Sequence, residues 1–127
     1  MPVSINQKRL QETFFELVRY DTGSDSASST APSTQKQLAL AEILAQKLRS
    51  LGLENVNLSK SGVVTGTLHG SLESDIKIGF IAHMDTSPDY SGAGIKPNII
   101  TDYNGSDIVL KDGIIISPNP SYFLKIT

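Results

Sequence analysis

The sequence predicts an α/β fold, a mixed sheet flanked by helices, and three features carry that expectation. Two segments in the first half set apolar residues at helical spacing. Short runs rich in β-branched residues follow them. Residues 76–86, IKIGFIAHMDT, then form a short, nearly continuous apolar run of the kind found in a strand covered on both faces.

The first helix is expected over residues 4–19. Ser4 and Gln7 have capping-box spacing, and Leu10, Phe14, Leu17 and Val18 fall on one stripe. Residues 22–33, TGSDSASSTAPS, are small, polar and turn-prone, and read as a loop that Pro32 ends. A second helix is expected over residues 34–51, with Thr34 and Gln37 again at capping-box spacing. Leu38, Ala41, Leu44, Ala45, Leu48 and Leu51 make its buried face, and Gly52 stands where a left-handed C-terminal cap belongs. Two short strands follow, over residues 55–60 and 62–68, joined by a tight turn at Lys60-Ser61-Gly62.

Residues 76–86 are expected to form the central strand. Side chains alternate across a strand, so His83 and Asp85 project to one side and Met84 to the other. In an open α/β sheet the carboxyl end of a strand faces the ligand crevice. A carboxylate there can bind a metal, or orient the imidazole that does. Residues 87–105, with Pro88, Pro97 and several glycines, read as a long loop over that strand end. Residues 107–110 and 113–116 then read as a hairpin turning at Lys111-Asp112-Gly113. The last seven residues, SYFLKIT, are apolar without a closing helix or polar terminus, as if the chain were cut there.

Length and composition exclude several classes of function. The chain has 127 residues, enough for one ordinary domain, and no internal repeat. Eleven Lys and Arg against 13 Asp and Glu give a net charge of −2, which offers no footprint for nucleic acid and no polybasic membrane patch. The absence of cysteine excludes disulfides and thiolate ligation and fits a reducing compartment. No stretch has the apolar core of a signal peptide or the run of about 18 apolar residues of a membrane span. A soluble, cytoplasmic protein is expected.

Residues 78–97, IGFIAHMDTSPDYSGAGIKP, resemble the peptidase T family, tripeptide aminopeptidases within the larger group of di-zinc exopeptidases and deacylases. Three further segments agree: Tyr20-Asp21-Thr22-Gly23-Ser24-Asp25, Pro32-Ser33-Thr34 with Gln37 nearby, and Leu51-Gly52-Leu53. The resemblance covers residues 8–120, and it turns residues 22–33 from an ordinary linker into a family segment. It implies that residues 1–127 are the N-terminal portion of a zinc peptidase catalytic domain, an incomplete piece of the enzyme. Its implied activity is release of the N-terminal residue from tripeptides. His83 matches a histidine that ligates one of two zinc ions, and Asp85 matches the aspartate that orients the ring of that histidine. A lone histidine at a strand end is more often a structural residue than a ligand; the aspartate two positions on and the surrounding match reverse that.

The same resemblance places the bridging aspartate, the glutamate base and the remaining ligands beyond this chain. No glutamate follows Glu73, and the only other histidine is His69, a solvent-facing turn residue. Asp25 and Asp89 read as turn formers, and Asp102, Asp107 and Asp112 match no family ligand. The partner implied is a small peptide substrate, with self-association expected through the apolar tail around Phe123, Leu124 and Ile126. Two other readings stand beside the aminopeptidase: a related di-zinc dipeptidase, carboxypeptidase or N-acyl amino acid deacylase, and a non-catalytic scaffold or binding module.

Overall fold

A computed structural model of the chain describes residues 4–118. These fall into two units that divide between Pro97 and Asn98. The first unit contains helix α1 (Gln7–Leu17), helix α2 (Lys36–Ser50) and strands β1 (Glu54–Leu58) and β2 (Val64–Thr67). The second contains β3 (Ile108–Val109), a 3₁₀ turn at Lys111–Gly113 and β4 (Ile115–Ile116). In coarse terms the architecture is α/β. Both sheets are two-stranded and antiparallel, and the mixed sheet expected from the sequence is not assembled among the described residues.

Helix α1 begins at Asn6, whose side-chain oxygen accepts from the Arg9 amide at 2.9 Å. Asn caps a helix start well, so the Ser4 capping box is not used. The expected stripe is largely uncovered: Leu10 and Phe14 are exposed, while Leu17 and Val18 are half-buried. A Glu16–Lys47 ion pair at 2.7 Å ties α1 to α2.

Helix α2 turns a somewhat different face inward than its apolar pattern predicts. Gln37, Leu40, Ala41 and Ala45 are buried, Leu38, Leu44 and Leu48 are half-buried, and Leu51 is exposed. A glutamine can sit on that face because its amide donates to the Ser33 hydroxyl at 3.0 Å, which satisfies the buried polar group. Gly52 ends the helix at φ +83°, the left-handed geometry that a residue with a Cβ adopts at a cost.

The chain then enters the β1–β2 hairpin, which packs against α2. Its turn closes through a Gly62 amide to Ser59 carbonyl bond at 3.0 Å, with Gly62 at φ +84°. The β3–β4 hairpin pairs Ile108 with Ile116 and Val109 with Ile115, as the Asp-Gly turn signal predicts. The tail with Phe123, Leu124 and Ile126 lies outside the described residues.

Residues 76–85 depart most from expectation. They are neither helical nor paired into a ladder, and their apolar side chains from Ile76 to Ala82 face solvent. Phe80 is 94% exposed and Ile81 101%. Hydrophobic pattern expresses a demand for burial, and no described segment supplies the neighbouring strand that would meet it. The segment is anchored only at its end, where Thr86 forms a parallel bridge with Gly23. That bridge is the only parallel pairing among the described residues.

Candidate metal centre

His83 and Asp85 come together as their spacing predicts. The Nδ1 atom of His83 lies 2.8 Å from the Asp85 backbone carbonyl and 3.2 Å from Asp85 Oδ1. The closer partner is therefore the main-chain oxygen, which the sequence does not reveal. A carbonyl oxygen only accepts, so the proton of the neutral ring sits on Nδ1. Nε2 then carries the free lone pair, the state in which imidazole binds a metal. The His83 side chain is 85% exposed, so this nitrogen is open to a ligand from solution. Met84 is half-buried and lines a largely apolar cleft of about 530 Å³, together with Phe14, Leu17, Leu40 and Tyr90.

Immediately after Asp85 the backbone is held on both sides of Thr86. The Thr86 amide donates to the Thr22 carbonyl at 3.1 Å. Its carbonyl accepts from the Ser24 amide and the Ser24 hydroxyl, each at 2.9 Å. The segment that makes these bonds is itself braced. Asp21 Oδ1 accepts from the Gly23 amide at 3.0 Å, and Lys36 Nζ stands 2.9 Å from the same oxygen. Thr34 donates its hydroxyl to the Gly23 carbonyl at 2.8 Å, which explains why it does not cap α2. The Gly23 amide, followed by the Lys36 ammonium, holds the Asp21 carboxyl below its ordinary value.

Asp25, Asp89, Asp107 and His69 make local contacts. Asp25 accepts from the Ala27 amide at 2.9 Å, and Asp89 accepts from the Ser87 hydroxyl at 2.6 Å, the turn-forming roles expected of both. His69 faces Glu54 at 3.4 Å with both side chains well exposed. Asp107 accepts from the Ser117 hydroxyl. Among the described residues no three His, Asp or Glu side chains converge on one point. The donor set is thus one imidazole nitrogen with its orienting group, too few for zinc, which takes three or four protein ligands. The Asp21–Lys36 pair and the Thr86 contacts were not legible as site features. The sequence signs are the Asp-x-Gly turn pattern at residues 21–23 and the family resemblance of residues 20–25, and neither names Lys36 or Thr86 as a partner.

No family model matches the chain. Curated proteins do. The chain is 44% identical to the peptidase T of Clostridium perfringens (strain SM101 / Type A) over 113 residues, 88% of this chain and 28% of that protein. It is 46% identical to the peptidase T of Halothermothrix orenii over 114 residues, 87% of the chain and 28% of the relative. With the peptidase T of Caldanaerobacter subterraneus subsp. tengcongensis the identity is 48% over 120 residues, 92% and 29% of the two lengths. A match of that extent takes in His83 and Asp85 wherever it begins. The chain spans less than a third of the length of these relatives.

Proposed function

The chain belongs to the peptidase T family, and from that premise we propose that it is part of a zinc-dependent aminopeptidase that releases the N-terminal residue from tripeptides. The observation that carries the reading is the His83–Asp85 pair, with Nδ1 engaged and Nε2 free, inside a stretch 44% identical to a peptidase T. In the whole enzyme His83 Nε2 holds one of two zinc ions, and Asp85 keeps the ring turned toward it. Zinc, when bound, polarises the scissile carbonyl and lowers the pKa of a bound water toward neutrality. The remaining ligands and the general base come from parts of the protein that this chain does not span.

In the same reading residues 1–127 form the N-terminal portion of the catalytic domain. Residues 76–86 enter a mixed sheet flanked by helices, which covers the apolar side chains now exposed on Ile78, Phe80 and Ile81. The near-balanced charge and the lack of cysteine support a cytoplasmic enzyme acting on small peptides. No described helix is long and apolar enough to cross a membrane.

Paired substitutions in the whole enzyme test the assignment. His83→Ala is expected to abolish nearly all tripeptide hydrolysis and to release one zinc per site. Asp85→Asn is expected to keep most of the metal while lowering turnover about 10- to 100-fold, as loss of an orienting partner does. A His83→Ala enzyme with two zinc ions and normal turnover overturns the reading.

A further inference from the structure

We infer that the segment Asp21–Ser24 is a backbone clamp that sets the tautomer of His83, acting through the peptide unit between Asp85 and Thr86, with Asp21 as its positioning residue. One planar group carries the argument. The Asp85 carbonyl and the Thr86 amide belong to the same rigid trans peptide, and they point in opposite directions within its plane. The Thr86 N–H donates to the Thr22 carbonyl at 3.1 Å, and on the other side the Asp85 carbonyl accepts from His83 Nδ1 at 2.8 Å. Turning that plane to break one bond breaks the other. The two bonds also polarise each other through the amide, so each is stronger for the presence of its partner.

The acceptor at the far end is well placed to impose an orientation. Thr22 is only 3% exposed, and the turn that contains it is braced by three contacts besides its bonds to Thr86. Asp21 accepts from the Gly23 amide and pairs with Lys36 at the start of α2. Thr34 fastens the Gly23 carbonyl, and Ser24 grips the Thr86 carbonyl from amide and hydroxyl together. The Asp85 carboxylate, at 3.2 Å from the same ring nitrogen, is the longer contact on a side chain free to rotate. The main-chain route therefore holds the ring proton on Nδ1 even when the carboxylate swings away. Use of the clamp in metal binding rests on the ligand reading of His83 given above; its action on the ring does not.

The test is nitrogen NMR of the metal-free 127-residue chain at mildly alkaline pH. His83 is expected to be predominantly protonated on Nδ1, with an unstructured histidine peptide as the reference. The Thr86 amide is expected to exchange slowly. Asp21→Ala should move His83 toward the tautomer mixture of the reference peptide and speed Thr86 exchange about five- to tenfold, the worth of one ordinary hydrogen bond. Asp21→Asn keeps an acceptor for the Gly23 amide while dropping the Lys36 ion pair, and should fall between the two. If Asp21→Ala unfolds α2, seen as lost protection of the Leu40 amide, Asp21→Asn and Thr34→Val decide by the same two signals. The clamp is overturned if these variants leave the His83 tautomer unchanged, or if Thr86 in the unsubstituted chain exchanges like an unprotected amide. The measurement needs no metal, so failure of the zinc assignment, seen as His83→Ala retaining both ions in the whole enzyme, is told apart from failure of the clamp.

Discussion

Among the described residues Asp21 is a charged group with well-organised surroundings, and its pH response follows from them. Its carboxyl is held below the ordinary value of 3.8, first by the Gly23 amide and then by Lys36. A depressed folded value means that the folded state binds the proton less readily than the unfolded chain does. The stabilisation is therefore fully present above pH 3.8 and is lost as pH falls through the lower folded value. A carboxyl carbon titration of Asp21 should show a midpoint below that of an exposed aspartate. Thr86 protection should fade over the same acidic window and stay flat from there to neutrality. A midpoint at the ordinary value would mean that the Lys36 and Gly23 contacts do not persist in solution.

At the scale of elements, the helix boundaries separate what local pattern encodes from what distant contacts decide. The Gly52 cap was legible because a glycine after a helical stripe has a local meaning. Nothing lies within 4 Å of a Cβ placed there, so Gly52→Ala is expected to cost about 1–2 kcal/mol through backbone conformation alone. Asn6→Ala should cost about 1 kcal/mol of α1 stability while Ser4→Ala leaves it unchanged. Denaturant midpoints of the three variants check both statements. The two expected capping boxes failed for different reasons. Ser4 was displaced by a better-placed neighbour, Asn6. Thr34 was claimed by the Gly23 carbonyl, eleven positions away, which no local spacing could announce. The His83–Asp85 contact was legible because extended backbone puts alternate residues on one side. The role of the Asp85 carbonyl was not, since main-chain acceptors leave no mark in a sequence.

For the whole molecule the governing quantity is uncovered apolar surface. Among the described residues only Leu40, Ala41 and Ala45 form the buried apolar core, while Ile76, Ile78, Phe80 and Ile81 stand in solvent. Contiguous exposed apolar surface of this kind marks an interaction site or an association liability. The purified chain is expected to bind an apolar fluorescent dye, and Phe80→Ser with Ile81→Ser should lower that signal. The same chain should show no tripeptide hydrolysis and no tight zinc binding, because one imidazole and its orienter fall short of the three or four ligands zinc requires. Calorimetric titration with zinc beside a hydrolysis assay checks this; stoichiometric submicromolar binding with turnover would mean that the catalytic set is complete within these residues.

The Ser24–Thr86 contact joins positions 62 apart in the chain, and that separation has a consequence for the order of folding. Closing a flexible loop of that size costs about 3.7 kcal/mol in the length-dependent part of its entropy alone. A few hydrogen bonds, each worth about 1 kcal/mol, barely offset such a cost. Helix α2 and the β1–β2 hairpin lie inside the loop, and once they have condensed the remaining slack is much shorter. The Thr86 bridge should therefore close late, after those elements are in place, as contacts of long sequence separation generally do. Pulsed hydrogen exchange during refolding should protect α2 amides before Thr86. If the clamp inferred above holds, the His83 ring takes its fixed orientation only in molecules that have finished folding, and its tautomer reports the completion of assembly.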